Sequence, residues 1–283
     1  MNPASISVRV PATAANFGPG FDCLGVALNL YNTVTVSAAD TPWPDDFIAA
    51  AADSFFTASG RPPRPFAVTV SGDVPRSRGL GSSVTVRLGL VAALNAFFDS
   101  PLSKEDVLDV VVELEGHPDN AVPGCYGGFA VSGKAARFTV AVEPVVRFVA
   151  VIPDHEVETA AARRALPAQI PLPLAVENIQ NTSLIVSAFL TGKYSLLKGA
   201  FADHLHQPYR AGFIPGCADA IRHAEQAGAL GAFISGSGST LMAVTLDRPE
   251  LVAESMKLAL TEAGGGPAHS LILSADNEGA RVI

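Results

Sequence analysis

The segment PRSRGLGSSV, residues 75 to 84, places a glycine-rich turn between two regular elements, and it constrains the fold more than any other segment. The alternating residues before it (66 to 70) are typical of a strand, and the apolar residues after it (83 to 98) are typical of a buried helix. Glycines let backbone N–H groups approach an anion, and the start of a helix favours negative charge. The turn therefore suits a bound phosphate, although the same letters also suit a flexible turn with an N-cap.

The composition restricts the partners of the chain. Its 283 residues are 48% hydrophobic and 16% charged, which is enough to bury a substantial core. A net charge of -8 gives no positive field for a nucleic acid, so any anion must be captured by a local site. No basic segment leads into an apolar one near the start, and no run of about 18 apolar residues occurs, so we expect a cytoplasmic protein without membrane contact. Cys23, Cys125 and Cys217 lie far apart, which argues against disulfides and a zinc site.

Periodicity divides the chain into two α+β halves. The first third is predicted to be mostly sheet, with strands at 5–10, 33–36 and 66–70. A second helix is predicted to begin at Ser103, which has the spacing of a capping box with Asp106. Three strands follow between 129 and 153, and then helices at about 174–191, 215–227 and 249–263 alternate with strands GAFIS, LMAVTL and HSLILSA. We predict a boundary near residue 148, between domains 1–148 and 149–283.

Polar residues concentrate in four further segments. These are VPATAANFGPGFDCLGVAL (10 to 28) with Asn16 and Asp22, EGHPDNAVPGCYGG (115 to 128) with Glu115, His117, Asp119 and Asn120, ADHLHQPYR (202 to 210) with Arg210, and ISGSGST (234 to 240). Each alone also suits a turn cap, a helix terminus, a solvated charge or a tight turn. Because the chain has only six histidines and few charges, their co-occurrence favours one common site.

PRSRGLGSSV together with ISGSGST resembles the first and third motifs of the GHMP kinase superfamily. Within it, the segments VPATAANFGPGFDCLGVAL, EGHPDN, TAAARRALP (159 to 167) and HLHQPYR are similar to the homoserine kinase family, and the resemblance spans residues 10 to 240. It departs at Val84 and Thr85, where two alanines are usual, and at Ser239, where proline is commoner. The resemblance implies a two-domain α+β fold. The N-terminal domain is ribosomal-protein-S5-like with a left-handed βαβ unit, which general rules would not predict, and the C-terminal domain is ferredoxin-like.

By this resemblance the glycine-rich turn holds the phosphates of ATP. The residues that it assigns to ATP are Pro75, Arg76, Ser77, Arg78, Gly79, Leu80, Gly81, Ser82, Ser83, Gly236, Ser237 and Gly238. The turn is not a Walker A loop, because the pattern GxxxxGK[ST] is absent. Ser83 and Glu115 are the expected Mg²⁺ ligands, a hard-oxygen pair that suits this ion, and Glu113 is the alternative.

The resemblance also implies L-homoserine as the acceptor, a zwitterion that needs an anion, a guanidinium and an amide around it. Asp22 with Asn16 is assigned to the ammonium, and Arg163 with Arg210 to the carboxylate. The reactive hydroxyl is assigned to Asn120, with His117 and Asp119 beside it. Thr159 lies four residues before Arg163 and shares its face if a helix forms there, whereas Arg164 is expected to be solvated.

We expect direct in-line transfer of the γ-phosphoryl group without a phosphoenzyme, because positioning and electrostatics can lower most of this barrier. Asn120, His117 and Arg210 are the expected catalytic residues, with His117 favoured as an orienting group over a general base. The family also implies a homodimer. Three alternatives remain open at this stage: another GHMP kinase with a mevalonate-like or sugar acceptor, a nucleotide-binding sensor without catalysis, and a serine hydrolase built on GSGS.

Overall fold

The computed structural model of the chain describes residues 4–40 and 45–283, which form two antiparallel sheets with helices packed against them. The strands are β1 (Ser5–Ala15), β2 (Leu24–Ala38), β3 (Phe66–Gly72), β4 (Phe129–Ser132), β5 (Arg137–Val140), β6 (Arg147–Pro153), β7 (Gly231–Ile234), β8 (Leu241–Thr245), β9 (Ala268–Leu273) and β10 (Arg281–Val282). The α-helices are α1 (Asp46–Ser59), α2 (Ser82–Phe97), α3 (Lys104–Glu115), α4 (Ala121–Tyr126), α5 (Thr159–Arg164), α6 (Leu172–Thr191), α7 (Gln207–Arg210), α8 (Cys217–Gln226) and α9 (Pro249–Glu262). Short 3₁₀ helices lie at Tyr194–Leu197 and Ala211–Phe213.

The first sheet has the strand order β10-β1-β2-β4-β5, and β3 also pairs with β2. The long strand β2 serves two partners, because its start pairs with β4 and its second half pairs with β3. Helices α1 to α4 contribute buried apolar side chains, such as Phe55, Leu88 and Leu94, to a core shared with β1 and β2. This arrangement places the start of α2, immediately after the glycine-rich turn, beside the C-terminal end of β1, where the backbone N–H of Thr13 donates to the Leu80 carbonyl at 3.2 Å.

The second sheet has the strand order β7-β8-β6-β9. Along the chain, β6 is followed by helices α5 to α8, then by β7 and β8, and then by α9 and β9. This is the ferredoxin-like arrangement that the resemblance implies. Strand β6 is apolar on both faces: Phe148 and Ala150 face the core between the sheets, whereas Val149 and Val151 pack with α8 and α9. Burial on both faces explains why this segment shows a continuous apolar run instead of alternation.

Aromatic residues fill the core between the two sheets. Phe17 packs on Phe233 with ring centroids 4.7 Å apart, and Phe129 stacks on Phe189 at 4.1 Å. Phe17 is fully buried although its φ is +47°, a left-handed conformation that is uncommon for a bulky residue. Its buried ring therefore anchors the turn that carries Asn16 and Asp22.

Most of the predicted elements are present, and the α+β class is confirmed. The capping box of α3 forms, since the Ser103 hydroxyl accepts from the Asp106 N–H and the Asp106 carboxylate accepts from the Ser103 N–H. The expectation that the first third is mostly sheet is wrong at α1, where Asp45 caps a helix whose apolar face packs on α2 and α3.

The boundary near residue 148 stays a prediction. Residue 148 lies inside β6, the chain changes sheets between β5 and β6, and the C-terminal strand β10 returns to pair with β1 in the first sheet. Across the described ranges 4–40 and 45–283, no helix combines the length and apolar composition that a membrane span requires.

Candidate active site

A cleft of about 620 Å³ brings most of the predicted residues together. It is lined by Asn16, Asp22, Arg76, Ser77, Arg78, Gly79, Gly81, Ser82, Ser83, Glu115, His117, Asp119, Asn120, Thr159, Arg163, Arg210, Gly236 and Ser237. The cleft does not include Pro75, Leu80 or Gly238. Leu80 instead packs into the core between the sheets, so it contributes to the turn through its backbone.

The glycine-rich turn runs into α2 without a side-chain cap. Gly81 is the N-cap residue with φ of +68°, and neither serine after it caps the helix, because Ser82 and Ser83 are its first two residues. The first backbone N–H groups of a helix have no partners within the helix. Since no side chain caps them, they are available to an anion, and the interpretation as an ordinary capped turn loses its main support.

Two glycines of the turn are required by close contacts. Gly79 has φ of +76°, and a Cβ atom there would overlap the carbonyl oxygen of Ser235. Gly81 is equally left-handed, and a Cβ atom there would overlap the hydroxyl of Thr13. Any larger residue would be strained and would push away its neighbours. The turn is therefore held between β1 and the third motif.

The third motif, residues 234 to 240, fastens the glycine-rich turn. The Ser235 hydroxyl donates to the Gly79 carbonyl at 2.7 Å, and the Thr240 N–H donates to the Arg78 carbonyl at 3.1 Å. The Arg78 side chain donates to the Pro153 carbonyl at 3.1 Å and, within the turn, to the Arg76 carbonyl at 3.3 Å. The departure at Ser239 has a structural use, because its hydroxyl donates to the His155 carbonyl at 2.6 Å. The serine therefore ties the third motif to the end of β6.

The departures at Val84 and Thr85 are buried beneath the turn. Val84 belongs to the core of the first domain. The Thr85 hydroxyl donates to the Ser82 carbonyl and accepts from the Asn32 amide, both at 2.8 Å. Asn32 in turn accepts from the backbone N–H of Val74 at 3.3 Å. A threonine thus joins the first turn of α2 to β2 by satisfied polar contacts.

Ser83 and Glu115 meet at the side of the cleft next to the start of α2. The Ser83 hydroxyl donates to Glu115 Oε2 at 3.0 Å, and Arg87 donates to Glu115 Oε1 at 2.9 Å. Glu115 is mostly buried and lines the cleft, whereas Glu113 is exposed. An alcohol and a carboxylate oxygen this close form a donor set that fits Mg²⁺.

The turn after β1 carries Asn16 and Asp22, which are both left-handed, with φ of +76° and +54°. The Asn16 side chain accepts from the Asp22 N–H at 3.1 Å and donates to the Gly236 carbonyl at 3.0 Å. Asn16 therefore fixes the backbone of Asp22 against the third motif, with both ends of its amide engaged.

Asp22 and Arg163 form an ion pair with two hydrogen bonds. Arg163 Nη1 and Nη2 donate to the two carboxylate oxygens of Asp22 at 2.9 and 3.0 Å. The hydrogen bond with Asp22 raises the pKa of Arg163. The resemblance assigns these groups to opposite charges of one acceptor, and in this structure they pair with each other.

Arg210 lies on the other side of Asp22's turn and is almost fully buried. Its Nη1 donates to the Gly236 carbonyl at 2.9 Å. Both Arg210 and Arg163 lie over the ring of Phe21, at 5.0 and 5.5 Å from its centroid. Burial lowers the pKa of Arg210 to about 10, and the charge of Arg163 acts in the same direction. Arg210 is still a cation at neutral pH, and a ring face stabilises both guanidinium groups.

His117, Asp119 and Asn120 lie between α3 and α4, at the junction of the two halves of the cleft. His117 Nδ1 lies 2.7 Å from Asp119 Oδ1, and this hydrogen bond raises the pKa of His117. Asn120 accepts a hydrogen bond from the buried Thr13 hydroxyl at 2.7 Å through Oδ1. Its Nδ2 faces Asp119 Oδ1 at 3.4 Å, and since a carboxylate can only accept, the amide orientation is fixed.

A short helix, α5, does form over this segment and carries Thr159 and Arg163 at the edge of the cleft. The Thr159 hydroxyl lies 3.3 Å from the hydroxyl of Ser237. Arg164 is exposed, as expected. This short helix therefore faces the third motif across the opening of the cleft.

Three groups of residues in or beside the cleft were missed by the sequence analysis. Thr13 holds Asn120, His206 contacts Arg210, and an apolar wall of the cleft is formed by Phe47, Val68 and Val70. Arg87 lies over the Phe47 ring at 4.5 Å. The apolar wall gave no motif, because its residues come from α1 and β3 and have no characteristic spacing. Only the segment HLHQPYR carried a signal that could have pointed to His206.

The family described as "GHMP kinases N terminal domain" matches residues 46–128, and the one described as "GHMP kinases C terminal" matches residues 185–264. The chain belongs to the GHMP kinase family. The curated homoserine kinase of Aquifex aeolicus is 38% identical over 295 residues, covering 98% of this chain and 99% of the relative. That of Gloeobacter violaceus is 43% identical over 271 residues, covering 88% of this chain and 91% of the relative.

Solved structures agree with this family assignment. A crystal structure of homoserine kinase from Cytophaga hutchinsonii matches with a TM-score of 0.91 and 28% identity, covering 100% of this chain and 98% of that chain. The Methanococcus jannaschii mevalonate kinase structure matches with a TM-score of 0.69 and 14% identity over 96% of this chain and 98% of that one, a likeness in fold alone. The two-domain GHMP kinase fold predicted from the sequence is confirmed.

Proposed function

We propose that this GHMP kinase transfers the γ-phosphoryl group of ATP to the side-chain hydroxyl of L-homoserine, giving O-phospho-L-homoserine for threonine biosynthesis. One observation carries the proposal: a single cleft joins an uncapped helix start to the Asp22 carboxylate and to the guanidinium groups of Arg163 and Arg210. The helix start suits phosphates, and the charges suit an amino-acid zwitterion. A mevalonate or sugar acceptor has no ammonium for Asp22. The curated Aquifex aeolicus relative, which covers 98% of this chain, is a homoserine kinase.

On the donor side, the backbone N–H groups of the glycine-rich turn and the first turn of α2 would bind the phosphates of ATP. The apolar wall around Phe47 and Val70 has the character of a site for a nucleotide base. Ser83 and Glu115 would hold Mg²⁺, which when bound offsets charge on the phosphates. Arg87, paired with the second oxygen of Glu115, keeps that carboxylate in place.

On the acceptor side, a zwitterion would replace the internal pairing of Asp22 with Arg163. The ammonium of the acceptor would pair with Asp22, and its carboxylate would pair with Arg163 and Arg210. The amide of Asn120, held by Thr13, would orient the hydroxyl toward the γ-phosphoryl group. Direct in-line transfer needs the proton of the alcohol to leave only late, so positioning supplies most of the rate enhancement. Because Asp119 raises the pKa of His117, less of its free base is present at neutral pH, which favours an orienting role.

Release of ADP by the purified protein with Mg-ATP and a panel of acceptors tests the proposed function. L-Homoserine should be turned over far faster than D-homoserine, mevalonate or galactose. L-Serine is one methylene shorter and should react on the order of 100-fold more slowly, because a displacement near 1 Å has about that effect. Equal rates with L-homoserine and mevalonate would overturn the assignment. Gel filtration of the same sample tests the homodimer that the family implies.

The metal site has a matched pair of variants. Glu115→Gln keeps an oxygen for the hydrogen bond with Arg87 but removes the charge, so half-maximal activity should need at least about tenfold more Mg²⁺. Glu113→Gln changes an exposed residue two positions away and should behave as wild type. The reverse result, with Glu113→Gln impaired and Glu115→Gln normal, would move the metal ligand by two residues.

A further inference from the structure

The segment before α7 is locked by a buried carboxylate. Asp203 accepts hydrogen bonds from the backbone N–H groups of Leu205 and His206, both at 2.9 Å, and from the side chain of Asn178 at 2.8 Å. Asn178 also accepts from the His204 N–H at 2.8 Å. This network fixes the backbone at residue 206, so the direction of the His206 side chain is set before any ligand binds.

The His206 ring is fully buried and has a partner on each nitrogen. Nε2 lies 2.8 Å from the Gly18 carbonyl oxygen, and Nδ1 lies 3.3 Å from Arg210 Nη1. A carbonyl can only accept and a guanidinium can only donate, so the ring is neutral, with its proton on Nε2. Burial lowers the pKa of His206 to about 4, in agreement with a neutral ring. The ring also stacks on Phe21 at 5.1 Å.

The contacts of Arg210 leave its charge unneutralised. Its Nη1 donates to two neutral acceptors, His206 Nδ1 and the Gly236 carbonyl. Its Nε is buried and, within residues 4–40 and 45–283, makes no hydrogen bond. A carboxylate in place of His206 would pair with the guanidinium and compete with an anionic ligand. A neutral acceptor orients the guanidinium and keeps its charge for the ligand.

We propose that His206 is a positioning residue, which orients the guanidinium of Arg210 toward the carboxylate of the acceptor without neutralising it. The inference rests on the proposed function in one respect, namely that Arg210 contacts the acceptor carboxylate. His206 itself lines no part of the cleft and touches no substrate, so it acts through Arg210.

Two amide substitutions separate the two hydrogen bonds of the ring. In His206→Asn, the side-chain oxygen can take the place of Nδ1 and accept from Arg210, whereas the donor to Gly18 is lost. In His206→Gln, the amide nitrogen can take the place of Nε2 and donate to Gly18, whereas the acceptor for Arg210 is lost. Positioning of Arg210 predicts that KM for L-homoserine rises at least tenfold in His206→Gln and stays within about threefold of wild type in His206→Asn. KM for ATP should change little in either variant.

Two further variants serve as references. His269→Gln, on the exposed edge strand β9, should leave all constants unchanged. Arg210→Leu should give the largest increase in KM for L-homoserine. Adding His206→Gln to it should raise this KM no further, because the effects of two residues that act through one contact are not additive. The proposal would be overturned by an equal rise of KM for L-homoserine in His206→Asn and His206→Gln. An equally large rise of KM for ATP, or additive effects on KM in the double variant, would also overturn it.

A measurement on the wild-type protein keeps the proposal testable if the variants do not fold. The ¹⁵N spectrum of the histidine rings should show His206 protonated at Nε2 only, and L-homoserine should shift the Nδ1 signal. A ring protonated at Nδ1, or an Nδ1 signal that does not shift when L-homoserine is added, would overturn the proposal. If the wild-type enzyme does not phosphorylate L-homoserine, the proposed function fails. The tautomer then still reports on the His206–Arg210 contact.

Discussion

The hydrogen bond from Thr13 to Asn120 joins the two halves of the active site. Thr13 is fully buried, its backbone N–H donates to the carbonyl of Leu80 in the glycine-rich turn, and its hydroxyl donates to Asn120 Oδ1 at 2.7 Å. Thr13→Val keeps the shape of the side chain and the backbone contact with the turn. It removes only the donor that holds the amide of Asn120.

The structure sets the size of the expected effect. Asn120 is 9% exposed, so in Thr13→Val its oxygen faces a methyl group with little access to water. A buried acceptor without its donor costs about 1–3 kcal/mol. For a chain of 283 residues, that lowers Tm by roughly 2–5 °C. If the same free energy is lost in orienting the acceptor hydroxyl, kcat falls by about 5- to 150-fold, since about 1.4 kcal/mol corresponds to a factor of ten.

Steady-state kinetics with L-homoserine and ATP, together with thermal unfolding, check this prediction. In Thr13→Val, kcat should fall within that range, and KM for ATP should hold, because the backbone contact with Leu80 is intact. Thr13→Ser keeps the hydroxyl and should retain kcat within about threefold of wild type. A Thr13→Val enzyme with a lower Tm but a normal kcat would show that Thr13 stabilises the fold and does not orient Asn120.

Three further predictions concern the phosphate turn, the acceptor charges and pH. Gly81→Val should weaken the binding of a non-hydrolysable ATP analogue at least tenfold, because the residue is left-handed and a Cβ atom would overlap Thr13. Calorimetry measures this affinity, and an unchanged value would mean that the turn does not bind phosphate. Asp22 and Arg163 pair with each other, and 4-hydroxybutanoate lacks the ammonium whereas 3-amino-1-propanol lacks the carboxylate, so either compound leaves one of these charges without a partner. Each compound should therefore show kcat/KM at least tenfold below that of L-homoserine. Activity near that of L-homoserine would refute the zwitterion site. Burial lowers the pKa of His206 from about 6.5 in the unfolded chain to about 4 in the folded protein. The contribution of the neutral ring to the free energy of unfolding is therefore complete above pH 6.5, and it declines by up to about 3 kcal/mol as the pH falls toward 4. Urea unfolding across this range should show a smaller decline in His206→Gln, and an equal decline would assign it to other groups.

Local features of the fold could be predicted from the sequence because helix and strand periods are short-range properties. The apolar run of α2, the capping box of α3 and the alternation of β3 each lie within a few neighbouring residues. Helix α1 was missed although its alanine run and its N-cap Asp45 are local helix signals. The sequence also determined which segments carry polar chemistry, through the glycine-rich turn and the resemblance to GHMP kinases.

The pairing of side chains in the site was decided by tertiary structure. Asp22 and Arg163 are 141 residues apart in sequence, Thr13 and Asn120 are 107 apart, and Gly18 and His206 are 188 apart. These contacts form because the buried ring of Phe17 and the third motif hold the turn after β1 between the two sheets. No local pattern encodes them: a side chain's partners depend on which distant segments the core brings within about 3 Å, whereas periodicity reports only which face of an element is buried.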